Sequence, residues 1–223
     1  MLDIALNIRN LRQHIPTTVK IVAVSKTNPV SAIMEAYSAG QRMFGENRVQ
    51  ELLQKKDLLP ADIEWHLIGH LQTNKVKMVV PVAAMIQSVD SFRLLKAINA
   101  EASKINRTVN CLLQFFIADE ETKFGFSMDE AEEMLDSDEF REMHSVRICG
   151  VMGMATFSED AEQIRREFRQ LAGCYKRLKS RYYAEEDRFR EISMGMSGDY
   201  EIAIGEMSTM VRIGSLIFGS RNK

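Results

Sequence analysis

Cysteine is scarce in this chain of 223 residues, which contains three. Cys111, Cys149 and Cys174 stand far apart and include no CxxC pair. An odd, scattered set of this kind argues against a disulfide framework and against the usual zinc-binding spacings. His66 and His70 are four residues apart, but they fall at the end of a predicted strand rather than on one face of a helix. We therefore expect reduced thiols and no bound metal.

The chain also lacks an excess of charge and a long apolar run. Lys and Arg number 29 against 31 for Asp and Glu, a formal net charge of −2, so no strong field attracts nucleic acid or an anionic membrane. The apolar residues of 1–15 recur at helical spacing with charges between them. This pattern is typical of an amphipathic helix and not of a signal peptide or a membrane span. We expect a cytoplasmic protein without nucleic-acid or membrane partners.

Strand-like and helix-like segments alternate along the rest of the chain. Apolar and β-branched runs predict eight strands, at Lys20–Ser25, Arg42–Gly45, Glu64–Gly69, Met85–Val89, Val109–Ile117, Val146–Met152, Phe189–Met194 and Met210–Ile213. Helical patterns lie between them, at Val30–Ala39, Arg48–Lys56, Asn74–Val80, Ser91–Lys104, Met128–Leu135 and Asp160–Tyr182. Ser91 and Ser158 are the predicted N-caps of two of these helices.

Eight strands alternating with helices predict a parallel sheet of the α/β class. The number favours a single closed (β/α)₈ TIM barrel over residues 1–223, with the N-terminal helix as an addition. An open doubly wound sheet is the alternative. No GxGxxG motif follows the first strand, which makes a dinucleotide-binding fold less favourable.

Polar residues follow the predicted strands at the end where such barrels build their sites. Lys26 comes after the first strand, where a solvated rim charge is the ordinary alternative. Glycine and serine follow the last two strands, in SMGMS (193–197) and in RIGS (212–215). Backbone N–H groups and hydroxyls in these two loops frequently bind phosphate, although both residue types are also common in turns.

A lysine beside a phosphate site restricts the class of ligand that the site could bind. A partly desolvated lysine amine can form a Schiff base with an aldehyde, and an aldehyde that carries a phosphate is pyridoxal 5′-phosphate (PLP). Asn47, after the second strand, could donate to the ring oxygen or to the imine region. Arg212 could face the pyridine nitrogen, which an always-charged, donor-only arginine would leave unprotonated and therefore a weak electron sink. A structural salt bridge is the alternative role for Arg212.

Several stretches, taken in order, resemble the pyridoxal phosphate homeostasis proteins, which are single-domain relatives of the alanine racemase N-terminal barrel. They are AVSKTNP (23–29), FGENRVQE (44–51), WHLIGHLQTNK (65–75), SMGMSGDYEIAI (193–204) and STMVRIGSLIFG (208–219). FIADEETKFGF (116–126) is a further similar stretch, although Phe115-Phe116 stands where a more polar pair is common. The likeness runs over nearly the whole chain.

The resemblance implies a role for each matched residue. Lys26 would carry PLP as a covalent aldimine, and Arg212 would lie by the pyridine nitrogen. Ser193, Gly214 and Ser215 would bind the phosphate. Asn47 would line the ring, and the neighbouring matched positions are His66, Gly69, Met152 and Ser197. A core histidine with satisfied hydrogen bonds is the alternative role for His66. No catalytic residue and no metal ligand is expected.

Two functions remain open. The first is a PLP carrier in vitamin B6 and amino-acid homeostasis, a monomer that meets PLP, free amino acids and PLP-accepting apo-enzymes without turnover of its own. The second is a small PLP-dependent amino-acid racemase. Alanine racemases add a C-terminal domain, and a partner subunit supplies a tyrosine base. Because racemization needs acid–base groups on both faces of the substrate and no matching tyrosine is found here, the carrier is favoured.

Overall fold

The computed structural model describes residues 3–118 and 124–219. Eight parallel strands pair in chain order and close into a barrel, which confirms the predicted (β/α)₈ fold. The strands are β1 (Lys20–Val24), β2 (Met43–Glu46), β3 (Glu64–Leu67), β4 (Met85–Val89), β5 (Val109–Gln114), β6 (Val146–Met152), β7 (Glu191–Ser193) and β8 (Met210–Ile213). Residues 119–123, inside the quoted 116–126 stretch, lie outside the described part of the chain.

Helices surround the barrel and alternate with its strands. They are α1 (Ile4–His14), α2 (Val30–Ser38), α3 (Val49–Lys56), α4 (Val76–Val79), α5 (Phe92–Lys104), α6 (Met128–Asp136), α7 (Asp138–Arg141), α8 (Ala161–Tyr182), α9 (Tyr200–Gly205) and α10 (Ser215–Phe218). None of these described helices is long and apolar enough to cross a membrane.

The predicted cap of α8 is wrong, whereas that of α5 is confirmed. Ser91 Oγ accepts from the Leu94 N–H, as predicted. At α8 the N-cap is Asp160, whose carboxylate accepts the N–H groups of Glu162 and Gln163. Ser158 lies two residues earlier, and its hydroxyl accepts from the Asp160 N–H. The serine therefore shapes the approach to the helix, because only Asp160 is within reach of the first free N–H groups.

The predicted N-terminal helix joins the beginning of the barrel to its end. The N–H of Ile4 donates to Glu35 Oε1 on α2 at 3.0 Å. Asn7 Nδ2 donates to the carbonyl of Ile217 on α10, also at 3.0 Å. α2 follows β1 and α10 follows β8, and these two strands pair with each other. The helix thus packs across the seam where the barrel closes.

The buried residues form two groups, as a closed barrel requires. The larger group fills the space between the strands and the helices. The smaller group lies inside the barrel and consists of strand residues, namely Val22, Met85, Leu112, Cys149, Met152 and Met210. Residues that point into the barrel above this inner group can face a ligand at the C-terminal ends of the strands.

Candidate functional site

A cavity of about 850 Å³ opens at the C-terminal ends of the strands. Its walls come from the loops after β1, β2, β3, β6, β7 and β8. Six residues that the sequence predicts for the site line it: Lys26, Asn47, Ser197, Arg212, Gly214 and Ser215. The other predicted contacts, His66, Met152 and Ser193, are fully or almost fully buried beneath it.

Lys26 lies in a tight turn directly after β1. The N–H of Ser25 continues the pairing with β2, and the N–H of Asn28 donates back to the Ser25 carbonyl at 3.0 Å. Asn28 Nδ2 donates to the Lys26 carbonyl at 3.2 Å. Thr27 has a φ of +65°, in the left-handed region that β-branched residues rarely adopt. The chain therefore reverses direction at the lysine, which lines the cavity.

Asn47 reaches the cavity because Gly69 leaves room for its backbone. A Cβ at Gly69 would lie 2.4 Å from the Asn47 carbonyl oxygen and 2.8 Å from its Cα. Any side chain there would push the β2 loop away from β3. Ser88 Oγ donates to the Gly69 carbonyl at 2.6 Å and holds the glycine in place. Gly69 thus acts on the site through the position of Asn47.

Arg212 is buried and bonded to neutral oxygens. Its Nη1 donates to the carbonyl and to the hydroxyl of Ser193, at 2.9 and 2.7 Å. Its Nη2 donates to the Gly153 carbonyl at 3.0 Å. Burial lowers the pKa of Arg212 to about 10, and nearby Asp199 acts in the opposite direction. Among the described residues no carboxylate forms an ion pair with this guanidinium, so the structural salt bridge is not found there.

Beneath Arg212 a chain of hydrogen bonds runs through the barrel. Ser193 Oγ donates to Gln87 Oε1 at 2.7 Å, and Gln87 Nε2 lies 2.7 Å from His66 Nδ1. Burial, with a smaller effect of Lys20, lowers the pKa of His66 to about 4. A neutral His66 can accept from the Gln87 amide. Gln87 was missed by the sequence reasoning, although one glutamine in the apolar strand MIQSV is a detectable signal.

Ser193, which the sequence predicts as a phosphate ligand, is fully buried. β7 turns this side chain into the barrel interior, where its hydroxyl donates to Gln87 and accepts from Arg212. Ser197, four residues later, lies on the cavity wall instead. Its Oγ accepts from the N–H groups of Gly214 and Leu216, at 3.2 and 3.4 Å. Two backbone donors therefore converge on one oxygen at the turn after β8.

Asp199 shapes the loop that carries Ser197. Its carboxylate accepts the Met196 N–H at 2.5 Å. Burial raises the pKa of Asp199, while the Met196 N–H and the charge of Arg212 lower it. The sequence reasoning did not assign this residue a role, and its place just before α9 is the available signal. No cluster of three or more His, Cys, Asp or Glu that could bind a metal occurs in the described ranges.

Comparisons with known proteins agree with this architecture. The family described as alanine racemase, N-terminal domain, matches residues 3–222. The pyridoxal phosphate homeostasis protein of Aquifex aeolicus (strain VF5) is 38% identical over 203 residues, covering 91% of this chain and 87% of the relative. The protein of the same name from Escherichia coli (strain K12) is 37% identical over 238 residues, covering 100% and 98%.

Two solved structures extend the comparison. PipY of Synechococcus elongatus PCC7942 with PLP bound has a TM-score of 0.86 and 35% identity, over 97% of this chain and 100% of that one. An alanine racemase from Bartonella henselae with covalently bound pyridoxal phosphate has a TM-score of 0.74 at 18% identity, over 99% of this chain and 61% of that one. The second likeness concerns the fold alone.

Proposed function

The chain belongs to the alanine racemase N-terminal domain family and, within it, to the pyridoxal phosphate homeostasis proteins, and we propose that it binds PLP covalently through Lys26. In this proposal the protein serves PLP and amino-acid homeostasis without turnover of its own. Free amino acids and PLP-accepting apo-enzymes are its further partners, the cytoplasm is its compartment and a monomer is its working state.

The observation that carries the proposal is one cavity wall that holds a suitable group for the aldehyde, the phosphate and the ring nitrogen of PLP. Lys26 can take the aldehyde end, and the N–H groups now directed at Ser197 Oγ can take the phosphate, with the Ser215 hydroxyl beside them. Arg212 lines the same wall and can face the ring nitrogen. The cavity of about 850 Å³ falls within the usual range of roughly 300–1,000 Å³ for small-molecule sites. The residues present therefore fit the group.

The chemistry of the wall favours holding PLP over using it. When bound, PLP supplies an aldehyde carbon for a lysine amine and a ring that can take up electrons when its nitrogen is protonated. Arg212 stays a donor at neutral pH because its pKa, about 10, remains well above 7. A donor-only group facing the ring nitrogen does not accept or supply a removable proton there. That arrangement supports a carrier more than a catalyst.

The first test is the site of attachment. The purified protein should be yellow, and borohydride reduction followed by peptide mass mapping should place the pyridoxyl group on Lys26. Lys26→Ala should lose both colour and label, whereas Lys77→Ala, at an exposed position of α4, should keep them. A protein that stays colourless with added PLP, or one labelled at another lysine alone, would refute the proposal.

A further inference from the structure

A cluster of buried charges lies directly under the turn that holds Lys26, and the proposed function does not use it. The cluster consists of Glu46 at the end of β2 and Glu51 and Lys55 on α3, and we call it the Glu46 cluster. The side chain of Glu46 is 0% exposed and that of Lys55 is 8% exposed. Acidic and basic residues are almost never buried to this extent unless they are paired.

Lys55 is the centre of the cluster. Its Nζ donates to Glu46 Oε1 at 2.8 Å and to Glu51 Oε1 at 2.6 Å. The third donation goes to the backbone carbonyl of Ser25, at 2.8 Å. An ammonium group has three protons to donate, so all three are used. One of them fixes the residue that precedes Lys26.

The cluster holds the chain on both sides of Lys26. Before it, Ser25 Oγ donates to Glu46 Oε1 at 2.6 Å, in addition to the contact of its carbonyl with Lys55. After it, the N–H of Thr27 donates to Glu51 Oε1 at 2.5 Å. Thr27 has a φ of +65°, which is unfavourable for a β-branched residue. The turn therefore depends on these contacts and not on the local preference of its own residues.

The cluster contributes little net stability for the free energy needed to bury its charges. Burial raises the pKa of Glu46, and its hydrogen bonds from Lys55 and Ser25 oppose that effect. Its second oxygen, Oε2, is buried and has no hydrogen-bond partner in the described part of the chain. Buried ion pairs are often no more stabilising than apolar residues of the same volume. A geometric role explains why charges occupy this place.

We propose that Glu46, Glu51 and Lys55 are positioning residues that hold the Ser25–Thr27 turn in the form that presents the Lys26 amine to the cavity. None of the three lines the cavity, so they act through the backbone on each side of Lys26. The inference rests on the proposed function, because it concerns the lysine that receives PLP.

The test compares Glu51→Ala, Glu51→Gln and a control, Gln54→Ala, which lies at an exposed position of the same helix. The first readout needs no PLP: amide hydrogen exchange in residues 25–28 of the ligand-free protein. Loss of a hydrogen bond to a charged acceptor should raise Thr27 exchange about tenfold or more in Glu51→Ala. Glu51→Gln, which keeps an acceptor oxygen, should recover part of the protection, and Gln54→Ala should match the unmodified chain.

The second readout is the rate of covalent PLP attachment, followed by visible absorbance and by trapping with borohydride. Glu51→Ala should slow attachment about tenfold, with Glu51→Gln between it and the unmodified protein. Lys55→Met, paired with the control Lys56→Met at an exposed position, should slow it at least as much. If Lys55→Met fails to fold because Glu46 loses its partner, the two Glu51 variants still decide the question.

The outcomes separate the two proposals. If the unmodified protein never labels at Lys26, the proposed function fails, while the exchange measurement still reports on the turn. If Lys26 labels normally but Glu51→Ala keeps the exchange and attachment rates of the unmodified protein, the positioning role is overturned. It is equally overturned if Gln54→Ala shows the same losses as Glu51→Ala.

Discussion

At the scale of single residues, burial inside the barrel sets the direction of a hydrogen-bond chain. Arg212 stays charged, with its pKa lowered to about 10, whereas His66 is neutral at pH 7 because its pKa is lowered to about 4. Arg212 can therefore only donate, and His66 Nδ1 can accept. Ser193 and Gln87, which can do both, connect them in a single sense from Arg212 to His66. The Ser193 hydroxyl thus accepts from the guanidinium and donates to Gln87.

His66 makes stability depend on pH. Its pKa is lowered to about 4 by burial first and by Lys20 second, so the unfolded chain binds a proton that the folded protein excludes. Stability is therefore lost as pH falls from about 6.5 toward 4. Between pH 7 and pH 5 the free energy of unfolding, measured with urea, should fall by roughly 2 kcal/mol more in the unmodified protein than in His66→Gln. Leu67→Val, a buried change without a titrating group, should keep the pH dependence of the unmodified protein. If the stability of His66→Gln depends on pH in the same way as that of the unmodified protein, the prediction is wrong.

Ser193, at the end of β7, and Ser197, in the loop after it, should differ in how their loss affects binding of a phosphate-bearing ligand. Ser197→Ala removes the hydroxyl that lies against the turn after β8 and can donate to the phosphate there. It should weaken PLP binding about 10- to 100-fold while changing pyridoxal binding little, as expected for about 1.5–3 kcal/mol in one charge-assisted hydrogen bond. Ser193→Ala should weaken both ligands by a similar factor, because it acts through Arg212. Absorbance titrations of the ligand-free variants measure this. A loss confined to PLP in Ser193→Ala would instead support the direct phosphate contact predicted from the sequence.

At the scale of elements, the contact between β6 and β7 determines where Ser193 lies. Gly150 has a φ of +150° and pairs with Glu191, and a Cβ there would be 1.8 Å from the Glu191 carbonyl oxygen. One residue before Gly150, at Cys149, the pairing register between β5 and β6 shifts. The two backbones approach closely at Gly150, and Met152 and Ser193 stand opposite each other two residues later.

Gly150→Ala tests that contact. The variant should lose about 3 kcal/mol or more of unfolding free energy, because both the backbone angle and the neighbouring strand reject a side chain. Gly173→Ala is the matched control. It lies within α8, where an added Cβ meets nothing within 4 Å, and it should gain about 0.4–1 kcal/mol. Chemical denaturation measures both, and a Gly150→Ala protein as stable as the original would show that β7 does not need the close approach.

At the scale of the whole molecule, distant segments of the chain build one cavity wall. Its lining residues come from both ends of the described sequence, from Val24 to Gly219. Among them, the side chains that carry an amine or a carboxyl group are Lys26 and Asp199, and the Asp199 carboxylate already accepts the Met196 N–H. Inversion at a carbon needs a proton taken from one face and returned to the other. The wall supports binding more than racemization.

The protein should therefore respond to amino acids without inverting them. Added L-alanine or L-serine should change the absorption spectrum of the PLP-loaded protein, because replacement of the Lys26 amine by the amine of an amino acid needs only an open site. Chiral chromatography after long incubation, with Cα hydrogen–deuterium exchange alongside, should show no racemization above that of free PLP. Turnover at ordinary enzyme rates of about 1–10³ per second that disappears in Lys26→Ala would instead establish a racemase. Hydrogen–deuterium exchange at Cα without inversion would indicate a side reaction in which Lys26 is the only base.

The sequence by itself determined the succession of elements and the edge on which the site lies. Apolar β-branched runs separated by helical patterns identify all eight strands, and β4, β6 and β8 begin and end at the predicted residues. Lys26, Asn47, Gly214 and Ser215 follow their strands and Arg212 lies near the end of β8. The sequence places all five at one edge because the C-terminal ends of parallel strands meet there. These are local properties, and they hold whatever the rest of the chain does.

Tertiary structure alone decided which side chains share a face and what they touch. Ser193 and Ser197 look equivalent in SMGMS, yet one points into the barrel and the other lines the cavity. Gln87 meets Ser193 across 106 positions of sequence, and Lys55 meets Ser25 across 30. Such pairs depend on strand register and barrel closure, which arise from packing between distant segments. A local pattern carries no information about the partner, because the partner is brought close only when the sheet closes.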